Sequence, residues 1–240
     1  MTVDPDWWKD LFDGVYLRTD ARSIGDPELT RREVDFLQTA LDLDPDAPVL
    51  DLCGGQGRHA LELCRRGHRR VTVLDYSDHL VRTGYGAAVA DGLPAAFVRG
   101  DARRTGLGDG RFGAVIVMGS SFGYFVDEAE NRKLIREAFR VLAPGGSILM
   151  DLPDRAYVVR HFAPESTHQP EPGLTVRRER RLEDDLIVSR ERVETDDGDC
   201  IRDRTYCTRL YTPGALEDLI TDAGFVDVRF SEDFMSRDGA

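Results

Sequence analysis

A glycine-rich segment in the first quarter of the chain carries residue types that hold a nucleotide-like cofactor. It reads Asp51-Leu-Cys-Gly-Gly-Gln-Gly57 and directly follows an apolar stretch. Glycine lets the backbone turn sharply, and its missing Cβ lets a ligand approach the main chain. Asp75 ends the next apolar stretch, where its carboxylate can accept hydrogen bonds from both hydroxyls of a ribose. The strand, glycine turn, helix and spaced acid together predict an adenosine-containing cofactor.

Two cofactors fit this loop. Residues 55–60 satisfy the dinucleotide pattern G-x-G-x-x-A, with Asp75 at a suitable distance downstream. A dinucleotide, however, lays an anionic pyrophosphate close to Asp51, and like charges in a partly buried cleft repel by on the order of a few kcal/mol. S-adenosylmethionine has no phosphate and carries an ammonium and a sulfonium, so Asp51 favours it. The simpler alternative is that Asp51 is an ordinary acid that caps a turn.

The first 29 residues carry a group of aromatic side chains. They are Trp7, Trp8, Phe12 and Tyr16. The helical spacing of Trp8 and Phe12 fits plain packing onto the domain. The functional alternative is that residues 1–29 form a lid over the cofactor, with Tyr16 nearest the sulfonium.

Candidates for the acceptor side lie further along the chain. Ser121 and Tyr124 follow the fourth apolar stretch, and the Tyr124 hydroxyl needs a polar partner. His161 and His168 come after the fifth predicted strand, where a histidine can act as a general base. We take His161 as the candidate base, although a histidine in a polar loop is commonly only solvated.

The elements that must position these residues alternate between strands and helices up to about residue 150. Such alternation predicts an α/β fold, in which a doubly wound, mainly parallel sheet of the Rossmann-like type has helices on both faces. A turn at Pro144-Gly145-Gly146 separates the last helix from the last strand. The predicted strands are 48–52, 71–74, 95–98, 112–118 and 147–150, and the predicted helices are 30–43, 58–66, one capped by Ser77, and 127–142.

The pattern changes after Asp154. Residues 174–181, 185–194 and 200–211 are rich in β-forming residues and separated by acidic turns, which predicts three antiparallel strands. We therefore interpret residues 154–211 as a β-rich insertion on the substrate side of a single domain that spans residues 1–240. A helix over 213–223 and a strand over 225–230 follow.

Composition limits the partners. The 240 residues carry a formal net charge of −12, which disfavours nucleic acid and anionic membrane surfaces. No export signal or apolar run long enough for a membrane span is visible, so the expected location is the cytoplasm. The four cysteines lack the close pairs of metal sites, and no metal is expected. Oligomeric state, monomer or homodimer, is left open.

From about residue 45 to residue 152 the sequence resembles the class I S-adenosylmethionine-dependent methyltransferase family, of the small-molecule type. The motifs appear in the family's order and spacing. They are Val49-Leu-Asp-Leu-Cys-Gly-Gly-Gln-Gly57, Val71-Thr-Val-Leu-Asp-Tyr-Ser77, Gly100-Asp-Ala102 and Leu142-Ala-Pro-Gly-Gly146.

The resemblance implies a role for each matching position. Asp51 and the glycine loop face the methionine and ribose portions of the cofactor, Asp75 the ribose hydroxyls, and Asp101 the adenine amino group. Ala102 lies beside the adenine ring, and the segment after the fourth strand lines the methyl-transfer mouth. The full set of predicted cofactor residues is Tyr16, Asp51, Cys53, Gly54, Gly55, Gly57, Asp75, Tyr76, Asp101, Ala102, Met118, Gly119 and Ser120; Ser121 and Tyr124 are the predicted acceptor residues.

Two departures from the family pattern stand out. Cys53 replaces the first glycine of the usual G-x-G-x-G run, and no final apolar strand is visible in residues 233–240. The expected function is methyl transfer to a nitrogen or oxygen atom of a small-molecule acceptor. The alternatives are a nicotinamide-dependent oxidoreductase, a protein that binds S-adenosylmethionine without methylating, and a methyltransferase that acts on protein or RNA.

Overall fold

The computed structural model of the protein describes residues 1–19 and 25–231. Its main feature is a parallel sheet whose strand order is β3-β2-β1-β4-β5. Successive strands run outward from β1 to β3 and then cross to the other side of β1, which confirms the doubly wound α/β fold. The strands are β1 (Val49–Leu52), β2 (Val71–Asp75), β3 (Ala96–Arg99), β4 (Phe112–Val117) and β5 (Leu142–Met150).

Helices cover both faces of this sheet. In the described residues they are α1 (Trp8–Leu11), α2 (Gly14–Thr19), α3 (Pro27–Leu41), α4 (Arg58–Arg65), α5 (Asp78–Asp91), α6 (Glu128–Val141), α7 (Arg155–Arg160) and α8 (Pro213–Thr221). Helix α3 begins three residues before the predicted start, because the Asp26 side chain accepts hydrogen bonds from the first-turn amides and Pro27 occupies the first helical position.

Two apolar cores hold the layers together. On one face Val34 and Leu37 of α3 and Leu63 of α4 pack against β1 and β2. On the other face Leu134 and Ile135 of α6 pack against β1 and β4. Each of these side chains is at most 3% exposed, and full burial of such a side chain stabilises the fold by about 1.5–3 kcal/mol. β1 is buried along its whole length, so the loop that follows it has a rigid base.

The strand β5 is longer and less regular than the sequence predicts. It begins at Leu142, and the Pro144-Gly145-Gly146 turn lies within it as an irregularity. Pairing with β4 shifts there, since Phe112 faces Leu142 whereas Ala114 faces Ser147. The turn therefore interrupts the ladder without ending the strand.

A second sheet is antiparallel and has the order β6-β7-β8-β9. Its strands are β6 (Glu165–His168), β7 (Leu174–Glu183), β8 (Leu186–Thr195) and β9 (Cys200–Arg209). The three predicted strands of this region are confirmed. The short elements α7 and β6 are absent from the prediction, because their sequences show no clear helical or strand periodicity.

The N-terminal helices are wedged between the two sheets. Trp7, Trp8 and Leu11 are buried together with Val188 of β8 and Cys207 of β9. In this position the aromatic side chains both pack and cover the carboxyl ends of the parallel strands. That the whole chain, residues 1–240, is one domain with a lid over 1–29 and an insertion over 154–211 stays a prediction.

The predicted strand at the C-terminal end is wrong. Residues 225–230 are irregular, because they pair with no strand of the described structure. Phe225 and Val228 pack against the core, whereas Val226 is 79% exposed, so these two side chains anchor the segment. The prediction made for residues 233–240 lies outside the described residues. No helix in the described part of the chain has the length and apolarity of a membrane span.

Candidate functional site

A cavity of about 380 Å³ lies at the carboxyl ends of the parallel strands, beneath the N-terminal helices. This is where ligands bind in doubly wound folds. Fourteen of the sixteen predicted site residues line it, the exceptions being Gly57 and His161. The fourteen are Tyr16, Asp51, Cys53, Gly54, Gly55, Asp75, Tyr76, Asp101, Ala102, Met118, Gly119, Ser120, Ser121 and Tyr124.

Asp51 is the most unusual side chain of the cavity. It is fully buried within β1, and neither carboxylate oxygen has a hydrogen-bond partner among the described residues. Burial raises the pKa of this carboxyl above its ordinary value, while His59, Arg58 and the nearby Ala60 amide oppose the shift. A buried charge without a partner is costly. The carboxylate is therefore suited to a cationic group of a ligand that enters the cavity.

The glycine loop leaves room above this carboxylate. A Cβ on Gly54 would lie 2.5 Å from Cγ of Asp51, so no other residue fits there without displacing the acid. Cys53 has a φ of +60° and Gly55 a φ of +58°, a left-handed conformation that glycine adopts without strain. The departure of Cys53 from the family's glycine therefore stores backbone strain next to the site.

Asp75 closes the second strand, and its carboxylate is already oriented by the main chain. Its Oδ2 accepts a hydrogen bond from the Gly55 amide at 2.8 Å, and its Oδ1 accepts one from the Ser77 amide at 2.8 Å. Burial raises the pKa of Asp75, although these hydrogen bonds act in the opposite direction. The two bonds tie the glycine loop to β2 and leave lone pairs for a ligand hydroxyl.

Asp101 follows β3 and forms an ion pair with Arg103, whose Nη2 lies 2.6 Å from Oδ2. Burial raises the pKa of Asp101, but the Arg103 guanidinium outweighs it and holds the pKa below its usual range. The same guanidinium lies over the rings of Trp8, at 4.9 Å, and Phe125, at 4.6 Å. Asp101 is thus kept ionised next to an aromatic wall.

That wall comes from the N-terminal helices. The Trp8 ring packs edge-on against Tyr76 with centroids 4.6 Å apart. Phe12 stacks on Tyr124 with centroids 5.6 Å apart, and Tyr16 packs on the edge of Phe12. Burial raises the pKa of the Tyr124 phenol well above its ordinary value, so the hydroxyl is a neutral hydrogen-bond donor. The sequence-based set of site residues does not include Trp8 and Phe12, although the clustering of aromatic residues near the N-terminus indicated a role for them at the site.

The opposite end of the cavity is formed by the segment after β4. Gly119 and Ser120 have φ values of +67° and +58°, so two left-handed residues follow one another. The Gly119 amide donates to Oδ2 of Asp151, at the end of β5, over 3.1 Å. Strained backbone of this kind is found at ligand sites. Asp151 lines the cavity and is absent from the sequence-based set of site residues.

Three further polar residues line the cavity and are absent from the sequence-based set of site residues, namely Glu33, Arg58 and His59. Glu33 of α3 forms an ion pair with Arg58, and its Oε2 lies 2.9 Å from Nε2 of His59. Burial raises the pKa of Glu33, yet the two basic neighbours lower it overall. The Arg58-His59 pair follows the glycine loop directly, but only packing of α3 against α4 brings Glu33 to it.

Gly57 and His161, the two remaining predicted site residues, do not line the cavity. Gly57 starts α4 at a φ of +73°, and a Cβ there would lie 2.8 Å from Phe97, so packing requires this glycine. His161 ends α7, is exposed, and has Nδ1 at 2.9 Å from the Tyr157 carbonyl. The structure gives no support to a catalytic role, because the short helix α7 carries His161 away from the cavity. His168 lies beside the Thr19 carbonyl, at 3.4 Å.

The residues present fit S-adenosylmethionine. The buried carboxylate of Asp51 suits its ammonium, and Gly54 gives this carboxylate the space that a Cβ would fill. Asp75 and Asp101 then stand at the ends of the next two strands, where the ribose hydroxyls and the adenine amino group need acceptors. A pyrophosphate fits poorly, since the unpaired Asp51 would face it. Within residues 1–19 and 25–231 no three His, Cys, Asp or Glu side chains form a metal-binding group.

Comparison with known proteins agrees with this arrangement. A family model for the methyltransferase domain matches residues 49–146, which include β1 to β4 and the glycine loop. Demethylmenaquinone methyltransferase of Thermus thermophilus is 36% identical over 121 residues, which are 50% of this chain and 51% of the relative. The chain spans about half the length of the curated relatives that it matches in this region.

Solved structures show that the fold extends well beyond this region. An S-adenosylmethionine-dependent methyltransferase from Clostridium acetobutylicum aligns with a TM-score of 0.72 and 18% identity, over 87% of this chain and 84% of that one. An amino pentose methyltransferase from Micromonospora echinaspora, solved with S-adenosylmethionine bound, aligns with a TM-score of 0.65 and 21% identity over 90% of both chains. Residues 49–146 therefore match a methyltransferase domain, and the chain has the fold of S-adenosylmethionine-dependent methyltransferases of known structure.

Proposed function

We propose that this protein transfers a methyl group from S-adenosylmethionine to a nitrogen or oxygen atom of a small-molecule acceptor. The observation that carries the proposal is the order of acids at the strand ends. The buried carboxylate of Asp51 lies in β1 next to the glycine loop, Asp75 ends β2, and Asp101 follows β3. A cationic amino-acid end, a ribose and an adenine in this order need these three partners.

The residues of the chain contribute binding, orientation and exclusion of water. When bound, S-adenosylmethionine supplies an already activated methyl group, so a positioned nucleophile needs little further chemistry. Asp51 holds the ammonium, and Asp75 orients the ribose while it fixes the loop through Gly55. Trp8 and Phe12 cover the cavity and keep solvent from the reacting atoms.

A small acceptor is supported by the shape of the site. The cavity is closed on one side by the N-terminal helices and measures about 380 Å³, which leaves little room for a macromolecular chain. The amino pentose methyltransferase is a structural neighbour with a small acceptor in its name. The Thermus relative is named for a quinone precursor, and a nitrogen or oxygen acceptor is favoured here because Ser120, Ser121 and Asp151 make the acceptor end polar.

Calorimetric titration with S-adenosylmethionine, S-adenosylhomocysteine and NAD tests the cofactor. Binding of NAD without binding of S-adenosylmethionine would favour the oxidoreductase alternative. Transfer of a labelled methyl group into the low-molecular-mass fraction of a cell extract tests the reaction. If label enters only the macromolecular fraction, a protein or RNA methyltransferase is the better description; if the cofactor binds and no label moves, the protein does not methylate.

Asp75→Ala tests the placement of the ribose. The substitution removes the acceptor for the ribose hydroxyls and frees the loop, so we expect affinity for S-adenosylhomocysteine to fall at least about tenfold, the equivalent of one charge-assisted hydrogen bond. Asp78→Ala is the matched control, since Asp78 is three residues away and forms an ion pair with Arg82 on the surface of α5. Near-normal affinity of Asp75→Ala would show that the ribose lies elsewhere.

A further inference from the structure

The strand order separates the cofactor from the acceptor. Asp51 lies in β1, Asp75 ends β2 and Asp101 follows β3, so a ligand held by all three lies over one half of the sheet. The ends of β4 and β5 lie on the other side of β1. The part of the cavity lined by Ser121 and Asp151 is therefore left for the acceptor, next to Gly119 and Ser120, which are predicted to contact the cofactor.

Asp151 is the charged group of this part that has no counterion. Its Oδ2 accepts one hydrogen bond, from the Gly119 amide, and no basic side chain of the described residues forms an ion pair with it. Glu33, the other acid nearby, forms an ion pair with Arg58 and lies 2.9 Å from Nε2 of His59. Ser120 and Ser121 add small polar groups and no charge. The acceptor end of the cavity is consequently anionic through Asp151 alone.

From this geometry we infer that the acceptor is an amine that enters as its ammonium form, and that Asp151 binds this ammonium and accepts its proton. The inference rests on the proposed methyl transfer and names the acceptor class within it. An alcohol or a quinone precursor would leave the Asp151 charge without a partner in a partly closed site, which costs binding free energy.

The proton balance follows directly. The acceptor ammonium gives one proton to the Asp151 carboxylate, and the freed nitrogen lone pair forms a bond to the donor methyl carbon. The electron pair of the broken carbon–sulfur bond stays on sulfur, so S-adenosylhomocysteine and an N-methylammonium product result. Asp151 returns to its ionised form by releasing the proton to solvent.

The surroundings of Asp151 set the pH at which it works. Burial and the charge of Glu33 on α3 raise the pKa of Asp151, while the amides of Gly119 and Ser120 and the charge of His59 on α4 act in the opposite direction. Amine methylation should therefore decline as pH falls through a carboxyl titration that lies above the ordinary aspartate value of about 3.9.

The acceptor class is tested first with the wild-type protein. Labelled S-adenosylmethionine is incubated with the low-molecular-mass fraction of a cell extract, and the labelled products are separated from unreacted donor and passed over a cation exchanger at neutral pH. A retained product whose labelled methyl group is located on nitrogen by fragmentation in a mass spectrometer supports the inference. A labelled product that flows through overturns the inference but leaves methyl transfer standing; no labelled product at all counts against the proposed function itself.

Asp151→Asn tests the residue. Asparagine can still accept the Gly119 hydrogen bond, so the loop and the affinity for S-adenosylhomocysteine should stay within about twofold of wild type. Amine methylation should lose at least about 100-fold in kcat/KM, the usual contribution of a general base, and the acid limb of its pH profile should move up to the titration of the free amine. Asp154→Asn is the control, because asparagine caps α7 as well as aspartate does.

The outcomes separate a proton acceptor from a structural support. If Asp151→Asn methylates the amine as fast as wild type, the inference is overturned. If its activity falls while the shape of the pH profile is unchanged, Asp151 only supports the loop, and the inference is again overturned. If affinity for S-adenosylhomocysteine falls in parallel, Asp151 serves the cofactor and not the acceptor.

Discussion

The substitution Asp51→Asn separates a ligand-binding carboxylate from a structural one, because the two roles predict opposite effects on stability. Asparagine has nearly the size of aspartate, so the contact beneath Gly54 is preserved. The change removes one negative charge from a position that is fully buried and lacks a hydrogen-bond partner among the described residues. We expect the free protein to become more stable and cofactor affinity to fall.

The loss of affinity follows from the charge. A hydrogen bond between a carboxylate and an ammonium contributes about 1.5–3 kcal/mol. Since each 1.4 kcal/mol corresponds to a factor of ten, S-adenosylhomocysteine should bind about 10- to 150-fold more weakly. This product carries the same amino-acid end as S-adenosylmethionine and needs no acceptor, so its affinity is measured directly by calorimetry.

The gain in stability follows from the absence of a partner. Burial raises the pKa of Asp51, so between the unfolded and folded pKa values the folded state binds more protons than the unfolded state. Stability of the free protein therefore rises as pH falls through this window. Asp51→Asn removes that dependence and should add at least about 1 kcal/mol at neutral pH, because a neutral amide is less costly to bury than a charge.

Asp75→Asn provides the comparison. Both Asp75 oxygens accept main-chain hydrogen bonds, from Gly55 and Ser77, and an amide nitrogen cannot replace one of them. This variant should lose stability as well as affinity, whereas Asp51→Asn should lose affinity alone. Thermal unfolding without ligand, measured across pH, distinguishes the two. A destabilised Asp51→Asn protein with unchanged affinity for S-adenosylhomocysteine would refute the reasoning.

Three further predictions concern the surroundings of the site. Gly54→Ala places a Cβ 2.5 Å from the Asp51 carboxyl carbon, so calorimetry should show at least about a tenfold loss of affinity for S-adenosylhomocysteine, equivalent to 1.4 kcal/mol; unchanged affinity would place the ligand elsewhere. Trp8→Ala should lower the free energy of unfolding in urea by about 3–5 kcal/mol, as for other buried aromatic residues, and it should also weaken the cofactor complex. A loss of stability with unchanged cofactor affinity would show that the N-terminal helices only pack against the domain. In α5, Gly84→Ala should destabilise the protein because its Cβ would lie 2.4 Å from the Gln56 carbonyl oxygen. The Cβ of Gly86→Ala would meet nothing within 4 Å, so this substitution should stabilise the protein by about 1 kcal/mol. Equal effects of the two substitutions on the free energy of unfolding would contradict the close packing of Gly84 against the Gln56 backbone.

Local patterns predicted the parallel half of the molecule well. Short apolar runs bounded by glycine and acid are typical of buried parallel strands, and the strand that ends at Leu52 agrees with its prediction to within one residue. Capping by Ser77 and Asp127 was readable for the same reason, since an N-cap depends on neighbours along the chain. The failures are non-local. Residues 225–230 have a strand-like composition, but a strand exists only where a partner does.

The candidate site likewise contains residues whose positions follow from the local sequence and residues whose positions depend on tertiary packing. The glycine loop, Asp75 and Asp101 lie at strand ends, and the carboxyl ends of parallel strands meet at one edge of a sheet, so their sequence positions determined that they come together. The charge of Asp51 in the sequence also favoured S-adenosylmethionine over a dinucleotide.

The tertiary structure alone decided the rest of the cavity. Glu33 reaches the site because α3 packs on α4, and Trp8 because the N-terminal helices lie between two sheets. It likewise moved His161 to the surface and brought Asp151 to the loop after β4, at the end of β5. These placements depend on contacts between residues far apart in the chain, which no local periodicity encodes. The residues proposed to hold the cofactor could therefore be predicted from the sequence, as could Ser121 and Tyr124 on the proposed acceptor side, whereas Glu33 and Trp8 became visible only when the helices and the second sheet were packed around the cavity.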